Sequence, residues 1–289
     1  IGAGGRIGQL RFRNHRPPAR YGVLGWFDHY LKGVKNGADK LPAVAYYVMG
    51  AEEWNYADSL EAIETTPVKL YLDSSERGTT PGKLRKGCPK LATSGKYTYD
   101  PLDLRPGEFE HKQGREDGSY NIFGTSAKSQ RYATSVKHFG NGLIYQSEPF
   151  HENTELTGYV KLVAWISMDV PDTDFMVTLH EILPDGTSIQ LTDDALRARY
   201  RESPREAKLV TPGEINRYEF NQFWFFSREI AKGSRLQMVF WSPNSIHLEK
   251  NYNSGGVVAE ETAQDARTAH VTVYHDAGHP SYLEIPVVE

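Results

Sequence analysis

Period-two alternation of apolar and polar residues, running through most of the chain, is the feature that most narrows what it can fold into. From Pro67 onward, short alternating runs are cut by clusters of Gly, Pro, Asn and Asp. The clearest are 159–168 (YVKLVAWISM), 174–182 (DFMVTLHEI), 188–192, 217–220, 223–227, 235–241 and 269–274 (AHVTVY), and 68–72 opens the series. Val271 and Val273 flank Thr272, so a strand here has one apolar face and one wet face. Pro184, Asp185 and Gly186 supply a tight turn between two of the runs. Strands of this kind bury their apolar faces against one another. The predicted fold is therefore mainly β, an antiparallel β-sandwich or jelly roll. A chain of 289 residues that is 39% hydrophobic has the material to fill such a core.

The first sixty residues read differently. Between 21 and 32, Val23, Leu24, Phe27, Tyr30 and Leu31 recur at spacings of three and four, and Gly33 is placed to cap the end, which predicts an amphipathic helix. After a polar turn, 43–49 (AVAYYVM) is a short apolar run closed by Gly50 and reads as a buried strand of the parallel-sheet kind. A helix feeding a buried strand is an α/β fragment. Alone it cannot cover its own apolar faces, so it must lean on a sheet elsewhere or on the downstream domain. The stretch 94–134 is rich in Gly, charge and Tyr with little periodicity. It predicts a long excursion over the surface, of a length that is usually functional.

Thirty-three basic residues against 37 acidic ones give a net charge of -4, with no like-charge block to track a phosphate backbone or an anionic membrane, so nucleic acid and membrane are not expected as partners. No apolar run approaches the roughly 20 residues that span a bilayer, and no signal peptide is evident. The expectation is a soluble protein whose compartment stays open, since the chain begins at Ile1 and something is expected to precede it. Cys88, the single cysteine, lies between Gly87 and Pro89 and reads as a loop thiol.

Short signatures spread over the chain bear on its origin: 26–33 (WFDHYLKG), 48–54 (VMGAEEW), 97–106 (YTYDPLDLRP), 147–158 (SEPFHENTELTG), 172–192 (DTDFMVTLHEILPDGTSIQLT), 197–203 (RARYRES) and 279–287 (HPSYLEIPV). In this order and spacing the chain resembles the C-terminal part of the X-Pro dipeptidyl-peptidase, cocaine esterase and α-amino-acid ester hydrolase family of α/β-hydrolase serine hydrolases. The resemblance implies a three-part enzyme: an α/β-hydrolase domain, a helical cap, and a C-terminal jelly roll similar to galactose-binding domains. Residues 1–58 would be the last remnant of the catalytic domain and residues 59–289 the jelly roll. No G-x-S-x-G elbow occurs here, so no catalytic residue is carried over and the chain alone is expected to be inactive. Leu104 stands where the family more usually has proline, and Glu108, Phe109 and Glu110 replace its paired glycines.

The resemblance implies that the segment after the DPLD motif lies near the substrate cleft. An acyl pocket needs apolar surface, so Phe109, Tyr120 and Phe123 are expected to form one wall of it. The implied partners are the α/β-hydrolase and cap domains, a small ester or peptide substrate in the complete enzyme, and a second copy of the chain in oligomer contacts. The alternative is a carbohydrate- or protein-binding jelly-roll module without enzymatic role. No cofactor is expected. His275 with Asp276 and His279 could suggest a metal, as could Asp172 with Asp174 and Asp193 with Asp194. Each also sits where loop and turn residues are routine, and no metal site is assigned. Trp224, Phe225, Phe226, Trp241, Tyr218 and Tyr252 could suggest a sugar-stacking platform, but alternating strand aromatics more often fill a core.

Overall fold

The alternating runs are strands, and they pack as two layers. A computed structural model describes residues 5–7, 10–17, 22–73, 81–116, 131–245 and 248–288. In chain order the elements are β1 (Arg6–Ile7), β2 (Leu10–Arg11), α1 (Val23–Lys32), β3 (Val44–Val48), β4 (Glu53–Ala57), β5 (Thr66–Asp73), β6 (Gly82–Arg85), β7 (Ser94–Tyr99), α2 (Arg105–Glu116), α3 (Arg131–Phe139), β8 (Gly142–Ser147), β9 (Thr154–Gly158), β10 (Lys161–Met168), β11 (Asp174–Ile182), β12 (Ser188–Arg197), β13 (Asn216–Phe220), β14 (Phe226–Ile230), β15 (Arg235–Trp241), β16 (Ala269–Tyr274) and β17 (Tyr282–Val287).

One layer runs β12-β11-β15-β8. The hydrogen-bonded path continues through β6, β5 and β17 into β10, β16 and β7, with β13 on β10 and the β9–β14 ladder joined at β17. Inward aromatics fix how the layers face. Phe175 of β11 lies 5.4 Å from Tyr218 of β13, and Phe240 of β15 lies 5.9 Å from Phe220 and 6.3 Å from Tyr97 of β7. A buried cluster including Leu162, Ile166, Val177, Leu179, Met238, Val271 and Leu283 fills the space between them. Large side chains at alternate positions are what a gap of roughly 10 Å between sheets requires.

Three expectations change. Among the described strands the pairing is antiparallel except between β6 and β8, which run parallel, with Gly82 against Tyr145; a single further parallel bridge joins Met49 to Arg228. The apolar run at 43–49 is not a parallel strand: β3 turns back within four residues and pairs antiparallel with β4 as a separate two-stranded sheet. A parallel neighbour would need a long crossover, which a turn this short excludes. The stretch 94–134 is not one structureless excursion, because it holds β7, α2 and the start of α3. Strong helix formers around Glu108 and Lys112 offset Gly107 and Gly114. In α3, Ala133 and Val136 pack on Ile144, Val239 and Trp241, forming a second small core on the outer face of the first layer.

The helix at α1 ends as read. Gly33 is left-handed at φ 69°, its N–H donating to the His29 carbonyl. None of its residues is buried; Leu24 is 80% and Leu31 74% exposed. The β3–β4 hairpin, in contrast, is tied down. Met49 N–H donates to Ser227 O at 3.2 Å, and Glu229 N–H returns to Met49 O at 2.8 Å. Among the described residues no helix is long and apolar enough to cross a membrane.

Candidate functional site

The turn after β7 is built by its aspartates. Asp100 Oδ1 accepts from Leu102 N–H at 2.9 Å, and Asp103 Oδ1 accepts from Arg105 N–H at 3.1 Å, meeting an amide at the start of α2 that has no helical partner. Pro106, in the first turn, has no N–H to satisfy. The Arg105 guanidinium closes on Asp103 at 2.7 and 2.8 Å and holds that carboxyl below the usual carboxylate range. One turn further on, Phe109 is half-buried edge-on against Phe139 at the end of α3, centroids 5.9 Å apart, and Arg105 lies 5.6 Å from the other ring's centre.

Between β7, the start of α2 and the end of α3 lies an open cleft of about 610 Å³, lined by Lys96, Thr98, Asp100, Arg105, Phe139 and Asn244 among others. Its lining sets Lys96 and Arg105 with Asp100 and Asp103 beside the rings of Tyr97, Tyr99 and Phe139. Phe109 stands beside it through Phe139. Tyr120 and Phe123 lie outside the described residues.

The other sequence candidates are placed elsewhere. His275 is sealed in the core with Nε2 2.8 Å from the Tyr145 hydroxyl, while His279 stacks near Trp165 and Tyr274, so the two do not share a ligand. Asp174 is gripped by Arg197 at 2.8 and 3.0 Å and Asp172 by Arg199 at 2.8 Å, with Asn251 donating to both. Arginine and amide donors take up the oxygens a calcium ion would need. Asp194 receives Ala195 N–H and Gln222 N–H, and Asp193 receives Gln190. Among the described residues no three His, Cys, Asp or Glu side chains gather to hold a metal.

Ser188 Oγ lies 3.2 Å from His180 Nδ1, the pairing from which nucleophilic serines are made. Here the other nitrogen meets the Thr178 hydroxyl at 3.1 Å instead of a carboxylate, and all three side chains are buried. Desolvation lowers the His180 pKa to about 4. A substrate carbonyl cannot reach this serine. Of the aromatic set, Phe226, Trp241 and Tyr218 are core, Trp224 is 66% exposed, and Phe225 packs on Tyr46 and Tyr159.

Sequence reasoning missed the cross-chain ties around this turn, above all those from Asn244. An isolated Asn after Pro243 carries no periodic signal, and the helix-start spacing Asp103-x-Arg105-Pro106 ahead of Glu108 stands inside a stretch that reads as a surface excursion.

A two-layer sandwich carrying a pair of helices beside a cleft defines a β-sandwich domain. The chain belongs to the family described as the X-Pro dipeptidyl-peptidase C-terminal non-catalytic domain, whose pattern matches residues 36–284. It is 27% identical over 267 residues to the cocaine esterase of Rhodococcus sp. (strain MB1 Bresler), covering 91% of this chain and 45% of that protein. It is 25% identical over 284 residues to a putative serine esterase of Mycobacterium bovis (strain ATCC BAA-935 / AF2122/97), covering 92% of this chain and 41% of the relative. The chain thus spans less than half the length of these curated relatives. An aminopeptidase from the marine sediment archaeon Thaumarchaeota archaeon shares its fold with TM-score 0.78 at 22% identity, over 98% of this chain and 46% of that one. An α-amino acid ester hydrolase does so with TM-score 0.70 at 22% identity, over 93% and 45%.

Proposed function

We propose that this chain is the accessory C-terminal portion of a serine hydrolase acting on an ester or an X-Pro peptide. Residues 1–58 belong with the catalytic α/β-hydrolase domain and residues 59–289 form the sandwich, of jelly-roll type. The observation that carries this reading is α1. Val23, Leu24, Trp26, Phe27, Tyr30 and Leu31 are all between 44% and 80% exposed on one short helix. An apolar surface of that density on an isolated helix is an interaction site awaiting cover. The family membership and the relatives' greater length support a catalytic domain as that cover.

The sandwich then fixes the catalytic domain through the hairpin that Met49 anchors, contributes oligomer contacts, and lends the α2–α3 cleft as one wall of the substrate site, with Phe109 and the segment containing Tyr120 and Phe123 facing acyl groups. Chemistry resides in the partner domain: serine attack, a histidine base and an oxyanion hole. Leu24→Asp with Leu31→Asp tests the carrying observation. In the complete hydrolase this pair should separate the two parts on partial proteolysis and abolish esterase turnover, whereas the isolated chain should melt as before. Retained turnover and an intact complex would refute the reading.

A further inference from the structure

In the turn 100–104, Asp100 O accepts Asp103 N–H at 3.1 Å and Leu104 O accepts Glu108 N–H at 3.0 Å, while the Pro101 and Asp103 carbonyls, between the end of β7 and the start of α2, are met by side chains from far along the chain. Buried carbonyls in such a turn require donors from elsewhere in the chain. They come from one distant loop. Asn244 Nδ2, on a side chain buried at 6% exposure, donates to Asp103 O and lies 3.5 Å from both Asp100 O and Pro101 O. Lys250 Nζ donates to Pro101 O at 2.8 Å, and the Tyr99 hydroxyl returns to Pro243 O at 3.0 Å. That loop is itself held to the end of the sandwich, since Asn251 Nδ2 donates at 2.9 Å to Asp172 and to Asp174.

The geometry points to a clamp: we propose that Asn244 and Lys250 are positioning residues that fix the 100–104 turn to the sandwich and thereby set where α2, Phe109 and the adjoining cleft wall stand. An amide and an ammonium offer donors only to these carbonyls, so neither is replaceable by an apolar residue without stranding main-chain oxygens. Lys250 is partly desolvated, which pulls its pKa down, and the Pro101 carbonyl replaces part of the water its ammonium gives up. Asn244 lines the cleft as well, so movement of the clamp changes the shape of the cleft. The consequence for substrate choice rests on the cleft-wall reading above.

Hydrogen exchange of the whole chain tests the clamp. Asn244→Asp keeps the shape but turns a donor into an acceptor facing carbonyls, and Lys250→Met keeps the stem without the charge. Both should speed exchange across 101–112 by about ten-fold or more while β10 and β15 keep their protection, and Lys250→Arg should restore it to within about two-fold of the wild type. Unchanged exchange at 101–112 would overturn the proposal. In the complete hydrolase the same two variants should raise KM for bulky aryl esters by about five-fold with little change in kcat. If exchange rises and Phe109→Ala shifts KM but the clamp variants do not, the clamp has no part in specificity. If Phe109→Ala is silent too, the cleft-wall reading is the part that failed, and the specificity role falls with it.

Discussion

Glu181 and Arg228 form an ion pair inside the sandwich, Oε2 to Nε 2.6 Å, with the glutamate fully buried and the arginine side chain 8% exposed. Glu181 extends from β11 on the face that carries Val177 and Leu179, and Arg228 lies between Phe226 and Ile230 on β14, so the pair joins one layer to the ladder on which the β3–β4 hairpin docks. The second carboxylate oxygen accepts Ala231 N–H at 3.0 Å.

Breaking this pair from one side leaves a charge stranded in the core. Arg228→Met should cost about 3–5 kcal/mol, whereas Arg228→Met combined with Glu181→Leu should recover most of that loss. Urea titrations of the two single variants and the double give the coupling directly. A single variant that melts with the wild type would contradict the burial.

His180 and His275 should make the chain acid-sensitive. Burial lowers both pKa values from 6.5 to about 4, so the unfolded chain binds protons that the folded one refuses. Stability is then full above about pH 6.5 and falls as pH drops toward 4, by up to about 1.4 kcal/mol per pH unit for each histidine. Asp172, Asp193 and Asp194, whose carboxyls burial pushes up, act in the opposite direction. The readout is therefore a difference: His180→Gln should flatten the slope of stability between pH 6.5 and 4.5 relative to the wild type.

Gly50 is required where it stands. Its φ is +96°, and a Cβ would sit 2.7 Å from the Glu229 carbonyl oxygen that faces the docked hairpin. Gly50→Ala should destabilise the hairpin's attachment by about 1–3 kcal/mol, seen as faster hydrogen exchange in β3 and β4 with the sandwich core unchanged.

Removing the Phe109 ring leaves the α2–α3 contact with Phe139 open on one side. In the complete hydrolase Phe109→Ala should raise KM several-fold for large acyl groups and little for acetyl esters, with kcat nearly constant. Equal effects on all esters would assign the residue to stability and not to the cleft.

The strands at 174–182, 235–241 and 269–274 were legible to the residue, because half-buried strands must alternate and turns must carry Gly, Pro or Asp. The strand read at 223–227 begins instead at Phe226. Gln222 N–H is taken by Asp194, and the Trp224 carbonyl by Thr192, which holds those residues out of the ladder. The run at 188–192 continues to Arg197, since Asp194 finds amide donors and Asp174 finds Arg197. Neither extension nor shift is written in local pattern. The same is true of the α2–α3 contact: neither the packing of Phe109 on Phe139 nor the ties from Asn244 could be read from local pattern.

What the sequence by itself determined is periodicity: which faces are apolar, hence a two-layer β fold, an amphipathic helix at α1 with its glycine cap, and the family signatures. Only the tertiary structure decided which distant polar groups meet. Glu181 with Arg228, and Asn244 with the Pro101 and Asp103 carbonyls, are pairs set by how two sheets stack and where loops cross. Burial gives a repeating signal because every strand must do it. A hydrogen bond between groups a hundred residues apart satisfies two atoms once and leaves no period to read.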